Sequence, residues 1–327
     1  MRCSIVIRAY NEERHIGRLL EGIARQQFSQ AKRPPQTGPH APNPAEWEVI
    51  LVDSGSTDRT VEIAAEHGAR IVHILPQEFS FGRSLNLGIT AAQAERIVIA
   101  SAHVYPVYPD WLERLLAPLD DERVALTYGK QRGDAASKFS ETQIFARWFP
   151  ETSQLRQPHP FCNNANAAIR RSLWQQHPYD ETLTGLEDLA WARWAMDQGH
   201  AIAYVAEAEI IHVHNETPHG VYNRYRREAM AFKRIYPQER FSFLNLLHLA
   251  PSNIFSDLRQ AARQKALLRS ASSILWFRWM QFWGTYQGYR HPGPVTEHLR
   301  RTFYYPYQNI PGSPGTQRDI QPIQYSK

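Results

Sequence analysis

The chain has 327 residues, 43% hydrophobic and 21% charged. That composition is globular, allows about two domains and excludes wholesale disorder. Two cysteines, Cys3 and Cys162, exclude a disulfide framework or a cysteine-built zinc cluster. With no apolar run of about 18 residues and no signal-peptide pattern, a soluble or peripheral protein of the cytoplasm is expected. The net charge of +5 hides an asymmetry: His219 to Tyr304 carries 14 Lys+Arg against 4 Asp+Glu, a local net of +10. No RNA- or DNA-binding motif accompanies these charges, so an acidic membrane surface or phosphorylated acceptor suits them and nucleic acid is not expected.

Strand-like and helix-like patterns alternate through the first two hundred residues. Cys3–Ala9, Trp47–Val52, Ala69–Ile74 and Arg96–Ala100 read as strands. Ile16–Gln26, Thr57–His67 and Ser84–Ala94 have helical spacing. Such interleaving predicts βαβ units and a mainly parallel α/β sheet, with ligands at the carboxyl ends of the strands. Ala31–Glu46 holds five prolines and is expected to be a loop insertion. After Ile210 long helices take over, expected at Gly220–Ile235, Asn253–Ala271 and Ser272–Tyr286, and a polar tail beyond Ile310 reads as loose. The expected organisation is a catalytic domain at 1–215, a basic helical extension at 216–310 and a flexible tail at 311–327.

Two turns follow the first strands. Ala9-Tyr10-Asn11-Glu12-Glu13 is a polar turn suited either to ligand contact or to capping the next helix. In Val52-Asp53-Ser54-Gly55-Ser56-Thr57-Asp58, Asp53 ends a wholly apolar strand. Small residues let a ligand approach the backbone there, and free N–H groups of the following helix are near.

These two segments resemble the opening of family 2 glycosyltransferases. The resemblance runs to about His214 and implies the GT-A fold, a Rossmann-like mixed sheet flanked by helices. It implies inverting transfer of a sugar from a nucleotide diphospho-sugar to a hydroxyl of a saccharide or lipid-linked saccharide, in polysaccharide or glycolipid synthesis. Ala9, Tyr10, Glu12, Asp53 and Ser54 would line the donor pocket, with Asp53 on the base or ribose. Arg83, beside a glycine at a helix start, would reach the diphosphate or the base.

Where the family carries Asp-x-Asp after its fourth strand, this chain has Ser101-Ala102-His103, which lacks both carboxylates; Ser101 and Ala102 would still lie against the donor. His103 would be the metal ligand there, joined by one of two histidines that share a strand face, His212 and His214; His214 is the expected partner. Imidazole suits Mn²⁺ better than Mg²⁺. A metal-free site with Arg83 and the histidines neutralising the diphosphate is the alternative. Asn163 and Asn164 would form an acceptor wall with Trp191. Glu187 and Asp188 open an apolar, aromatic helix, where desolvation raises a carboxyl pKa toward the range of a general base. Asp188 is the expected base and Glu187 the acceptor binder or alternative base. A non-catalytic sugar-nucleotide-binding protein and a histidine-based metal hydrolase are the competing classes.

The aromatic stretch Leu267–Trp283 is too interrupted by arginines to span a bilayer. It suits a helix lying at a membrane interface, within a basic region at 253–303, or one packed on the catalytic domain or a second subunit in a homodimer.

Overall fold

The computed structural model describes residues 2–28, 46–214, 216–291 and 321–325. The proline-rich loop expected at 31–46 lies outside these residues, Glu46 apart. In chain order come β1 (Cys3–Ala9), α1 (Ile16–Ala24), β2 (Trp47–Asp53), α2 (Thr60–Glu66), β3 (Arg70–His73), α3 (Phe81–Ala91) and β4 (Arg96–Ser101). Then follow β5 (Val104–Pro106), α4 (Trp111–Leu116), β6 (Val124–Gly133), α5 (Phe139–Trp148), β7 (Asn166–Arg170), α6 (Arg171–Gln176), α7 (Glu187–Asp197) and β8 (Ala201–His212). The C-terminal region contributes α8 (Pro218–Ile235), α9 (Phe243–Arg263) and α10 (Leu267–Arg290).

The strands form one sheet in the order β3-β2-β1-β4-β7-β6-β8-β5. The half containing β1–β4 is parallel, as expected of apolar strands covered on both faces. Beyond it β7 pairs antiparallel with β4 and β6, while β6 and β8 run parallel. The sheet is therefore mixed. One apolar core packs α1 and α4 on one face through Ile16, Leu19, Trp111 and Leu115. The other packs α3, α6 and α7 through Leu85, Ile89, Trp174 and Trp191. Because the parallel strands β1, β2, β4 and β8 all point one way, their carboxyl ends converge on one rim.

The helical region departs from its expected boundaries. α9 starts ten residues earlier than Asn253, at Phe243, where Ser242 and Asn245 form a capping box, and it carries Pro251 inside it. It ends with Lys265 at φ 54°, while Ala266 N–H donates to Ala261 O at 2.7 Å and Lys265 N–H to Ala262 O at 3.1 Å. That is a Schellman closure with lysine where glycine is usual, so composition does not betray it. No break occurs at Ser272. Gly284 and Gly288 let α10 approach α8 closely: a Cβ at either would sit 2.4 Å from the Tyr222 or Arg226 carbonyl oxygen. The tail expected to be loose lies outside the described residues except for 321–325, where Ile323 N–H donates to Val107 O at 3.1 Å and Tyr325 Oη–H to Pro106 O at 2.7 Å. Among the described residues no helix is long and apolar enough to cross a membrane.

Candidate active site

A cleft of about 530 Å³ opens over the strand ends. Its walls come from the loop after β1, from Ser54 after β2, from Ser101 and His103 after β4, from Asn163–Ala165 before β7, from Gly185–Asp188 leading α7, and from the end of β8 with the first turns of α8. The loops after β1 and β2 hold each other. Asn11, in the left-handed region at φ 53°, donates its backbone N–H to Ser56 Oγ at 2.9 Å and accepts from Thr57 N–H at 2.8 Å. Glu12 donates its backbone N–H to Thr60 Oγ1 at 2.7 Å.

Glu187 and Asp188 lie at the inner wall. Asp188 is 8% exposed; its carboxylate accepts from Asn164 N–H at 3.0 Å and Leu189 N–H at 2.8 Å. Burial, followed by the neighbouring Glu187 charge, pushes its pKa up to about 7, against the opposing pull of those hydrogen bonds and of Arg8. Glu187 is tied by Arg8 Nη1 at 3.2 Å and Asn164 Nδ2 at 3.3 Å. Leu186, immediately before the pair, has φ 56°. A bulky residue rarely adopts that conformation, and such strain gathers at functional sites.

A different chemistry gathers at the end of β8. His103, His212 and His214 each offer a ligand atom within 4.8 Å of the others. Nδ1 of His103 lies 2.7 Å from Glu12 Oε1, Nδ1 of His212 lies 2.8 Å from Gln131 Oε1, and Nδ1 of His214 lies 2.8 Å from Glu141 Oε1. An acceptor at Nδ1 of His103 and His212 leaves the Nε2 lone pair for a metal, the usual outer-shell arrangement of histidine sites; Nδ1 of His214 also meets Arg224 Nη1 at 3.3 Å. Nε2 of His212 is buried without a hydrogen-bond partner among the described residues. Burial lowers the pKa of His212 and His214 well below the ordinary imidazole value, helped by neighbouring histidines and Arg224, so both are held neutral. Burial opposes charge on His103 as well, but the Glu12 carboxylate outweighs it and raises its pKa.

The structure brings together most of the expected residues. Ala9, Tyr10, Glu12, Ser54, Ser101, His103, Asn163, Asn164, Glu187, Asp188 and His214 all line the cleft. Four do not. Trp191 is 1% exposed in the core and donates its indole N–H to His177 O at 2.7 Å; the apolar face of α7 that suggested a sugar platform is turned into the protein. Ala102 is likewise buried in the core. Arg83 is drawn off by Glu181 at 3.3 Å and Glu78 at 3.7 Å. Asp53 is 3% exposed and its carboxylate accepts from Gly55 N–H at 3.1 Å and Ser56 N–H at 3.2 Å, so it shapes the turn beside the cleft. The cations that do line the cleft are Arg8, Arg14, Arg224 and Arg227, which the sequence reading did not single out. Arg8 lies inside a strand, and Arg224 and Arg227 are two of several arginines along α8, so no local signal distinguishes them.

A sequence model of Glycosyl transferase family 2 matches residues 4–177, and the chain belongs to that family. Among curated relatives, it is 30% identical over 189 residues to an O-antigen chain rhamnosyltransferase, WbaN, of Salmonella anatum, covering 54% of this chain and 60% of the relative. It is 27% identical to the O-antigen chain rhamnosyltransferase RfbN of Salmonella typhimurium over 54% of this chain and 60% of that one. The match thus spans about 60% of these relatives' length. In structure it resembles a mannosyltransferase of Pyrobaculum calidifontis solved with GDP-Man and Mn²⁺, with a TM-score of 0.56 at 17% identity over 93% of this chain and 87% of that one. It also resembles glucosyl-3-phosphoglycerate synthase of Mycobacterium tuberculosis solved with Mn²⁺, UDP and glucosyl-3-phosphoglycerate, with a TM-score of 0.53 at 21% identity over 73% and 81%. These likenesses establish the GT-A fold with a helical C-terminal region.

Proposed function

We propose that the protein transfers a sugar from a nucleotide diphospho-sugar to a hydroxyl of a saccharide or lipid-linked saccharide, with inversion at the anomeric carbon. The observation that carries this reading is Asp188: a buried carboxylate at the cleft wall with its pKa raised to about 7, poised to accept a proton near neutral pH. The rhamnosyltransferase relatives support an acceptor from surface-polysaccharide synthesis.

In this reading the donor lies along Ala9, Tyr10, Glu12, Ser54 and Ser101, with Asp53 holding the turn under the nucleotide. The acceptor enters beside Asn163. Asp188 takes the hydroxyl proton as the oxygen bonds to the anomeric carbon. The bond from that carbon to the diphosphate breaks on the opposite face. The departing negative charge meets Arg14 and Arg227 of the cleft wall, while Arg224 is already paired with Glu141 at 2.9 Å and Glu216 at 2.6 Å. Arg8 and Asn164 hold Glu187 toward the acceptor. His103, His212 and His214 fit a divalent cation, Mn²⁺ better than Mg²⁺, which would supply further electrostatic stabilisation of the diphosphate.

The three imidazoles supply no charge of their own to replace the two absent carboxylates. The free protein should therefore hold the ion weakly and bind it well only with a donor diphosphate present. The test is release of nucleoside diphosphate from a panel of UDP-, dTDP- and GDP-sugars with saccharide acceptors, after EDTA and after Mn²⁺ is restored. Binding of a donor without turnover on any acceptor would favour the non-catalytic reading.

A further inference from the structure

α9 and α10 form an antiparallel hairpin. The rings of Phe243 and Tyr286, at its open end, lie 5.7 Å apart, and midway Arg278 reaches both oxygens of Asp257 at 2.7 and 3.1 Å. Leu246, Ala250 and Ala261 of α9, with Ile274 and Phe277 of α10, face inward and are buried. The outer side is also apolar. On α9 Leu244, Leu247, Pro251, Phe255 and Ala262 are exposed at the three- and four-residue steps that make one helical stripe. On α10 Leu268, Leu275 and Trp279 repeat the pattern, and Leu268, beside the turn, is 99% exposed.

Charge decides what this face meets. Between Phe241 and His291 the sequence holds a single acidic residue, Asp257, and it is buried against Arg278. The exposed charges around the turn, Arg259, Arg263, Lys265 and Arg269, are all positive. Two copies of the hairpin set face to face would oppose cation to cation with no acid between them. Leucine and aromatic stripes rimmed by arginine and lysine, on helices unable to cross a bilayer, are the pattern of interfacial helices on anionic lipid.

We propose that the α9–α10 hairpin docks the protein on an anionic lipid bilayer. Leu244, Phe255, Leu268 and Trp279 enter the boundary between headgroups and acyl chains, and Arg259, Arg263, Lys265 and Arg269 meet lipid phosphates. This goes beyond the transferase reading and does not depend on it, because docking is measured without turnover.

The experiment is flotation of the full chain with vesicles of phosphatidylglycerol and phosphatidylcholine, against pure phosphatidylcholine, at low and high salt. The parent should float with the anionic vesicles, not with the neutral ones, and its association should weaken about tenfold or more at high salt. Replacing all four turn cations (Arg259→Gln, Arg263→Gln, Lys265→Gln, Arg269→Gln) touches only exposed side chains and should weaken binding by about a hundredfold or more. Leu244→Ser with Phe255→Ser and Leu268→Ser should abolish flotation while the circular dichroism spectrum is kept. No flotation with anionic vesicles, or flotation unchanged in the four-cation variant, overturns the proposal. So does a parental dimer, seen by light scattering, that the serine variant splits while parental vesicle binding is absent; the face would then belong to a second copy.

Discussion

The guanidinium of Arg8, inside β1, lies 3.2 Å from the Glu187 carboxylate at the start of α7, joining positions 179 residues apart. The side chains are 14% and 6% exposed, so the pair is little screened. Arg8 is also among the groups that draw the Asp188 pKa down against burial. Arg8 thus touches both acids: it orients Glu187 and adds a smaller downward pull on Asp188 beside the Asn164 and Leu189 N–H groups.

A pH profile reads this directly. The base form of Asp188 exists above a pKa of about 7, so kcat/KM should rise with pH through that value and fall away below it. Arg8→Gln removes a cation that favours the charged form and should move the midpoint toward alkaline pH by about one unit. A midpoint that stays in place, or moves to acid pH, contradicts the coupling.

Leu186 offers a second test. Its left-handed backbone costs about 1–2 kcal/mol relative to an ordinary conformation, and Leu186→Gly removes that strain while loosening the turn that presents Glu187 and Asp188. Thermal stability should be kept or raised while kcat falls. A lower melting temperature with unchanged kcat would show that the strain has no part in presenting the acids.

Much of this site was legible in the sequence because it is built from strand ends. The turn at Ala9–Glu12, the turn after Asp53 and the acid pair each follow or precede a recognisable element, and the parallel topology gathers them on one rim. What was not legible is side-chain destination. Arg83 looked like a ligand for phosphate, but Glu181, nearly a hundred residues away, claims it. Trp191 looked like an acceptor platform, yet helical phase turns it into the core. His214 is the partner expected for His103, but His212 completes the same cluster, its ring held by Gln131 on another element. The α9–α10 turn escaped because Lys265 occupies a position where glycine is the usual marker.

Trp191→Ala should therefore act on stability. Emptying a site this deep in the core costs about 3–5 kcal/mol, read as a lowered denaturation midpoint. KM for acceptor should be nearly unchanged in whatever fraction stays folded. A raised acceptor KM at parental stability would return Trp191 to the cleft.

The histidine cluster predicts metal dependence with a particular pattern. His103→Ala and His212→Ala should each abolish Mn²⁺ stimulation. Gln131→Leu, which removes the acceptor behind His212, should weaken metal affinity by about tenfold or more. Mn²⁺ should outperform Mg²⁺. Full activity in EDTA would leave the diphosphate charge to Arg14 and Arg227.

The central claim is that Asp188 takes the acceptor proton, and Asp188→Asn tests it most directly. Turnover of donor with acceptor is measured beside calorimetric binding of the donor nucleotide to the same preparation. The predicted result is a fall in kcat of about a hundred- to ten-thousand-fold with nucleotide affinity close to that of the parent. Near-parental turnover in Asp188→Asn would contradict it, and if Glu187→Gln alone were inactive, the proton would pass to Glu187 instead.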